Sequence, residues 1–295
     1  MRHIARSSCA ALLLASALPA LAAPGFRISA TPIWQGASTL SGGGQGQSRN
    51  LLLNAVTDYA LDDAWSLGVA ASYQFSDWEF DHPAAWNGQA PWGNVQRASV
   101  GVNLGLRVEN GWQFNLVPSM NFAGEQDASS DKAIGLGVVG SASKSFSPSL
   151  TLGLGLGVFD ALEQTRAFPY LVVNWDIDQH WKLANPFTTG PAGPAGLELS
   201  YRRDRWDIGA GGAYRSFRFR LAGDNAVAPG GIGVEEQVPL YLRFGYAPSR
   251  DSRLDVYLGA SLNSQLSTED RDGNLLTRDD LDTVPLFAIQ FGGQF

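Results

Sequence analysis

Apolar and polar residues alternate along much of the chain. In the stretch NGWQFNLVPSMNF (110–122), every second residue is Trp, Phe, Leu, Pro, Met or Phe, and mostly amide or hydroxyl side chains lie between them. The pattern recurs at 65–75, 99–108, 150–158 and 254–263. Alternation of this length predicts β-strands. A run of about ten residues is also the length of a tilted strand that crosses a bilayer.

The connections between these strands are of two kinds. Short polar turns are followed at once by an apolar residue, at Trp65, Trp112, Leu150, Trp181, Trp206 and Leu254. Longer polar or Gly/Pro-rich segments alternate with them, at 35–48, 76–94, 123–131, 186–195, 222–233 and 267–282. Short periplasmic turns, long outer loops and an aromatic girdle are typical of outer-membrane barrels. We therefore predict a closed antiparallel transmembrane β-barrel of about 14 strands, within about 12 to 16.

The N-terminus predicts export. Arg2 and Arg6 form a positively charged region before a short apolar run that ends in the small-x-small sequence Ala20-Leu21-Ala22. We expect a secretory signal peptide at 1–22, and a single barrel domain at 23–295 that resides in the Gram-negative outer membrane. Cys9 leaves with the signal peptide, so the mature chain has no cysteine for a disulfide. A net charge of -7, without a basic stripe, argues against nucleic acid.

The end of the chain forms an amphipathic strand. Phe287, Ile289, Phe291 and Phe295 share one face of TVPLFAIQFGGQF. A terminal aromatic residue on such a strand resembles the signal by which the outer-membrane assembly machinery recognises its clients. This machinery, membrane lipid and lipopolysaccharide are the expected partners. A soluble β-sandwich ending in Phe is the alternative, but signal peptide, strand length, girdle and loop lengths together favour the barrel.

One long segment resembles a known family. The sequence LANPFTTGPAGPAGLELSYRRDRWDIGAGGAYRSFRFRLAGDN (183–225), with the Phe-terminated last strand, is similar to a proteobacterial outer-membrane β-barrel family of unknown function. The resemblance extends over most of the mature chain. It implies fold and location, and it implies no activity, ligand or catalytic residue.

Polar faces of the strands are expected to line the lumen, because lipid favours the apolar faces. The predicted lumen wall consists of Glu198, Arg202, Arg218, Arg220, Tyr241 and Arg243. Arg218 and Arg220 face inward only if a bulge near Arg215 and Ser216 shifts the alternation. A row of arginines attracts anionic solutes. The alternative is that these arginines pair with Glu198 and Glu235 and brace the wall.

Two loops carry residues with other chemistry. The segment SDWEFDH (76–82) gathers Asp77, Glu79, Asp81 and His82, which resembles the acid-plus-His equipment of barrel proteases. A solvated acidic loop is the alternative, since acid–base catalysis needs converging partners. Asp270, Asp272 and Asn274 supply oxygen ligands and Gly273 a turn, but only as a fragment of a calcium loop. We expect no metal site and no cofactor.

Three functions remain open. The first is a pore or uptake channel for small hydrophilic solutes, including anions. The second is a structural or surface-interaction barrel without channel activity, which a lumen closed by folded-in loops would favour. The third is an outer-membrane hydrolase that uses the Asp77–His82 loop.

Overall fold

The computed structural model describes residues 25–186, 191 and 195–295, with the backbone alone for Ala161. The signal peptide predicted at 1–22 lies outside the described residues. In the part of the chain that is described, no helix is long and apolar enough to cross a membrane.

Among the described residues, one continuous β-sheet contains all the strands, and the helical segments are single 3-10 turns at Ala84–Trp86, Glu109–Gly111 and Ser130–Lys132. The strands are β1 Gly25–Thr39, β2 Gln45–Ala60, β3 Trp65–Asp81, β4 Asn94–Arg107, β5 Trp112–Glu125, β6 Ile134–Ser147, β7 Leu150–Ala161, β8 Gln164–Asp176, β9 Trp181–Ala184, β10 Gly196–Arg203, β11 Trp206–Ala213, β12 Arg215–Arg220, β13 Ile232–Tyr246, β14 Ser252–Glu269, β15 Leu275–Leu281 and β16 Val284–Gln294.

The sheet closes on itself. Most strands pair antiparallel with their neighbours in sequence, and β1 pairs with β16 through a register that includes Ala30 opposite Phe291. β11 and β12 both pair with β13, and β15 and β16 both pair with β14, so each couple occupies one strand position. The result is a closed antiparallel 14-strand β-barrel, which confirms the fold prediction.

The outer surface is apolar because the alternation places large hydrophobic side chains there. Leu154 is 67% exposed, and Leu116 and Met120 are also exposed on the same side of the wall. The opposite set on the last strand is buried: Leu286 and Ala288 face inward. In lipid, backbone groups must be satisfied within the sheet, which a closed barrel achieves.

Turns and loops follow the predicted asymmetry with one difference. Val108 N donates a hydrogen bond to Trp112 O (3.0 Å), so residues 109–111 form a three-residue hairpin loop, in which Asn110 and Gly111 have the left-handed φ values of 61° and 78°. The outer loops are shorter than predicted, because strands continue to pair beyond the apolar belt. The first outer loop, for example, is reduced to 40–44. Alternation in hydrophobicity ends at the lipid boundary, whereas hydrogen bonding does not.

Candidate functional site

Small polar side chains line one half of the lumen. The inward positions of β3, β4, β5 and β6 include Ser72, Ser99, Ser119 and Ser141, all of them half-buried. Nearer the periplasmic end of this wall, Asn115 and Arg107 are exposed. Small side chains on a wide barrel leave space inside it. This half of the lumen is therefore accessible to water from the periplasmic end.

A buried charged network fills the opposite half. The Arg243 side chain is 1% exposed and forms ion pairs with Glu198 on β10 (2.6 Å), Asp207 on β11 (2.8 Å) and Asp255 on β14 (2.8 Å). Arg253 contacts the same two aspartates, at 2.6 and 2.7 Å. The network joins four adjacent strand positions and pairs buried carboxylates with two guanidinium groups.

The predicted lumen-wall residues separate in the structure. Tyr241 donates a hydrogen bond to Glu198 Oε2 (2.9 Å), so Glu198, Tyr241 and Arg243 form one cluster. Arg202 is exposed and lies at the end of β10 that adjoins the periplasmic turn, where its backbone N–H bonds His180 O (2.8 Å). Arg202 therefore stands apart from the other predicted arginines.

The bulge predicted near Arg215 and Ser216 is wrong. β11 places Gly212 opposite Leu240 and β12 places Arg215 opposite Gln237, so both strands keep the same register against β13. The parity of the strand is unchanged, and Phe217 and Phe219 face the lumen. Phe219 resembled a lipid-facing residue because it packs in an apolar cluster, whereas the ring of Phe217 contacts the guanidinium groups of Arg97 and Arg215.

Arg218 and Arg220 consequently lie on the opposite face of β12. Both are nevertheless buried, because β12 leaves the barrel wall and reaches a bridge with Gly124 of β5. Arg218 forms a two-bond ion pair with Glu269 (2.7 and 2.5 Å). Arg220 pairs with Glu163 at 2.8 Å. Through these ion pairs, Arg218 connects β12 to the outer end of β14, and Arg220 connects it to the β7–β8 turn.

An aromatic cluster closes the outer half of the lumen. We call it the plug, and it comprises Leu40, Trp78, Trp86, Trp92, Val95, Phe219, Leu221, Ala228, Leu266, Leu281 and Val284. Trp92 packs edge-on against Phe219, with ring centroids 5.1 Å apart, and against Trp78 at 6.1 Å. Trp86 Nε1 donates to Thr268 Oγ1 (3.1 Å). Folded-in segments from 82–93 and 221–231 thus contribute to the closure.

Two arginines that the sequence reasoning missed lie between the plug and the water-accessible wall. Arg97 Cζ is 3.6 Å from the centroid of the Phe217 ring, and Arg215 Cζ is 4.4 Å from it. Arg97 belongs to the inward set of β4 that includes Ser99. Extending the alternation of that strand by one step toward its N-terminus would have identified Arg97. Continuing the alternation of β11 past Tyr214 without a bulge would likewise have placed Arg215 on the lumen face.

The acidic segment at 76–82 was predicted as a loop, but residues 76–81 belong to β3, and the segment does not form a catalytic constellation with His180. His82 follows β3 at the outer end, and His180 precedes β9 at the periplasmic end. Glu79 accepts a hydrogen bond from Gln47 (2.5 Å), and Asp81 contacts His82 on the exposed surface. Among the described residues, no group of three or more His, Cys, Asp or Glu could hold a metal.

In the oxygen-rich turn at 270–274, the Asp270 carboxylate accepts hydrogen bonds from other residues of the same turn. Asp270 Oδ1 accepts hydrogen bonds from the backbone N–H groups of Asp272 and Asn274, both at 2.9 Å. Asp270 Oδ2 accepts one from the Asn274 amide (2.9 Å). These bonds lower the pKa of Asp270. The three candidate ligands thus stabilise the turn through one another.

The chain matches no known family model, and no curated protein matches it. Solved structures with a similar fold include the COG4313 outer membrane channel from Pseudomonas putida F1, with a TM-score of 0.49, 10% identity, and coverage of 94% of this chain and 97% of that one. The P. putida toluene transporter TodX has a TM-score of 0.45 and 11% identity over 94% and 91% of the two chains. LpxR from Salmonella typhimurium has a TM-score of 0.35 and 11% identity over 90% and 99%.

Proposed function

We propose that the protein is an outer-membrane channel for small hydrophilic solutes, with an outer mouth that is closed in this structure. One observation carries the proposal: the half-buried polar wall of β3–β6 leads from exposed Asn115 and Arg107 toward the plug. A barrel that served only as a scaffold has no need of a polar, water-accessible lumen. The solute enters the water-accessible half, and displacement of the plug completes the passage.

The plug is suited to open because two outer segments contribute to it. Trp86 and Trp92 come from 82–93, while Leu221 and Ala228 come from 221–231. Loops are the parts of a protein that move most readily between arrangements. Removing aromatic contacts between these segments should therefore shift the population toward the open state.

The test is single-channel conductance in planar bilayers, with the wild type and the double variant Trp92→Ala/Phe219→Ala. We expect infrequent openings of the wild type and a clearly larger open fraction for the double variant. The matched control is Trp206→Ala, because Trp206 is an aromatic residue exposed on the lipid side, at 62%. This control should behave like the wild type. Migration differences between heated and unheated samples report that each variant is folded.

A structural or surface-interaction barrel without channel activity is the second candidate. The closure of the outer mouth by the plug favours it. Folded wild type and folded double variant that both fail to conduct would reject the channel and support this alternative. We do not propose a hydrolase, since in the described part of the chain His82 and His180 lie at opposite ends of the barrel.

The proposal includes a location and partners. The apolar belt contacts outer-membrane lipid, and the acidic outer loops contact lipopolysaccharide through bridging cations. The assembly machinery recognises the last strand through Phe287, Ile289, Phe291 and Phe295. Cleavage after Ala22 precedes assembly. Detection of the mature chain in the outer-membrane fraction, with an N-terminus at residue 23, tests the location and the cleavage site.

A further inference from the structure

We infer that small organic carboxylates bind in the middle of the lumen, between Arg97 and Arg215. This inference rests on the proposed channel function and specifies its solute class. The two guanidinium groups converge on the Phe217 ring, at 3.6 and 4.4 Å from its centroid. Arg97 comes from β4 and Arg215 from β12, so they reach this point from two walls of the barrel.

The charge of these arginines is not neutralised by a direct ion pair. Arg218, Arg220 and Arg243 each have a carboxylate within 4.0 Å of the guanidinium, whereas no described carboxylate lies within that distance of Arg97 or Arg215. The residues outside the description contain no Asp or Glu. Arg97 and Arg215 therefore differ from Arg218, Arg220 and Arg243 in having no direct ion pair among the described residues.

The hydrogen-bonding capacity of the two guanidinium groups is also incompletely used. Arg97 Nε is buried and has no hydrogen-bond partner in the described structure. Arg215 donates to the backbone oxygen of Pro191. Glu235 is the nearby carboxylate, but it accepts a hydrogen bond from Gln237 Nε2 at 2.6 Å. Two positive charges thus face one negative charge, and at least one buried N–H is available for a ligand.

The surroundings suit a carboxylate on a small carbon skeleton. A cavity beside Arg215 and Phe217 is lined by the amides of Gln35, Asn50 and Gln74 and by the apolar side chains of Ile33 and Leu286. A guanidinium group matches a carboxylate through two parallel hydrogen bonds. Gln35 bonds Gln237 and Ser48, whereas Asn50 and Gln74 each donate one hydrogen bond to a serine and keep capacity for further polar atoms. The apolar residues and the ring can contact the carbon skeleton. A spherical halide would use few of these contacts.

The water-accessible wall leads to this position. Ser72, Ser99 and Asn121 lie opposite one another across β3, β4 and β5, and all three are half-buried. Ser99 is two residues from Arg97 on the same face of β4. A solute that moves along this polar wall from the periplasmic end therefore meets the arginines before it meets the plug.

The test is isothermal titration of the refolded barrel in neutral detergent with sodium formate and sodium acetate, the smallest organic carboxylates, against sodium chloride. We expect saturable binding of both carboxylates to the wild type. Arg97→Gln and Arg215→Gln should each weaken it about tenfold or more, because each removes a charge-assisted hydrogen bond. Glu235→Gln should instead strengthen binding several-fold, since it removes the competing negative charge.

Arg107→Gln is the matched control, because Arg107 occupies the inward face of the same strand at its periplasmic end. It removes the same charge and should leave binding unchanged. If an Arg→Gln variant does not fold, Arg97→Lys and Arg215→Lys keep the charge but lose the planar fork, and weakened binding is again expected. These variants and Glu235→Gln together separate a binding role from a packing role.

Several results would overturn the inference: no carboxylate binding to the folded wild type, equal binding after either arginine is replaced, or equal competition by chloride at the same concentration. The outcome is separable from that of the channel test. Conductance without carboxylate binding rejects this site and leaves the channel. Carboxylate binding without conductance from either the wild type or the plug variant rejects the channel and leaves the site.

Discussion

Two periplasmic turns are stabilised by the same pattern of hydrogen bonds to an aspartate. In the sequences DDAW and DQHW, Asp62 Oδ1 accepts hydrogen bonds from the backbone N–H groups of Ala64 and Trp65 (2.8 and 2.7 Å). Asp178 Oδ1 accepts them from His180 and Trp181 (2.7 and 2.8 Å). The aspartate accepts hydrogen bonds from backbone N–H groups that the tight turn would otherwise leave without a partner. It thereby fixes the point at which a tryptophan begins the next strand.

Asp178→Ala should lower the urea midpoint for unfolding from lipid vesicles, because the turn loses both hydrogen bonds. Asp178→Asn keeps an acceptor oxygen, so its urea midpoint should lie between those of Asp178→Ala and the wild type. The N–H groups of Trp181 and His180 hold the pKa of Asp178 below its ordinary value. The charged form therefore stabilises the barrel above the pKa of the unfolded chain, about 3.9, and this contribution disappears as the pH falls through the folded pKa.

The wild type and Asp178→Ala should consequently differ at neutral pH and converge in strong acid. Vesicle unfolding curves at several pH values measure this. A difference that persists undiminished in strong acid would show that the charge of Asp178 does not contribute.

The two faces of a strand should respond differently to a charge. Leu154 faces lipid and is 67% exposed, whereas Asn115 faces the lumen and is also exposed. Leu154→Arg should cost about 2–4 kcal/mol of folding free energy in a bilayer, and Asn115→Arg much less. Equilibrium unfolding of both variants in thin-bilayer vesicles measures the difference. Equal costs would contradict the orientation of the wall.

At the scale of the element, alternation predicted the strands, but it did not predict which of them leave the barrel wall. For β3, β5 and β7, a polar set opposite an apolar set identified the lumen face correctly. β12 offered two plausible faces, Phe217 and Phe219 against Arg218 and Arg220. The pattern could not show that this strand leaves the lipid-facing wall. Phe219 is buried in the plug, and Phe217 lies against Arg97 and Arg215. Arg218 and Arg220 are buried with their ion-pair partners, and only the contacts across the lumen determine this arrangement.

The last strand closes the barrel through its terminal residue. Phe295 and Phe26 exchange two backbone hydrogen bonds, at 2.8 and 3.2 Å, and their ring centroids are 6.4 Å apart. Phe295→Ala keeps the backbone bonds and removes the aromatic group. We expect less heat-modifiable protein in the outer membrane of cells, because the proposed recognition signal is lost.

Refolding of purified Phe295→Ala into vesicles is the control for that experiment. Its yield should remain close to the wild type, since no assembly machinery is present. An undiminished yield in cells would contradict the proposed signal. Reduced yields in both systems would assign the effect to intrinsic folding instead.

At the scale of the whole molecule, the lumen is unequal on its two sides. The β10–β14 wall contributes long charged and aromatic side chains, including Arg243, Tyr241 and Tyr257, while the β3–β7 wall contributes mainly small residues. The sequence identified Glu198, Tyr241 and Arg243 as inward-facing because each lies at a polar position of its strand. The ion pairs of Arg243 with Asp207 and Asp255 depend on strand register, which the sequence pattern alone does not provide.

Arg243 should be the most sensitive residue of this packed half. Three buried carboxylates converge on it from β10, β11 and β14, and its side chain is 1% exposed. Arg243→Gln leaves these carboxylates with less positive charge in a low-dielectric site, so we expect about 3–5 kcal/mol of destabilisation.

Arg253→Gln is the matched comparison: it shares Asp207 and Asp255, but its side chain is 27% exposed, so water can replace part of its contacts. Urea unfolding in vesicles should therefore rank the wild type as most stable, Arg253→Gln as intermediate and Arg243→Gln as least stable. If Arg243→Gln unfolds at the wild-type midpoint, the charged network does not hold these strands together, and packing of the neighbouring tyrosines must carry that half of the wall.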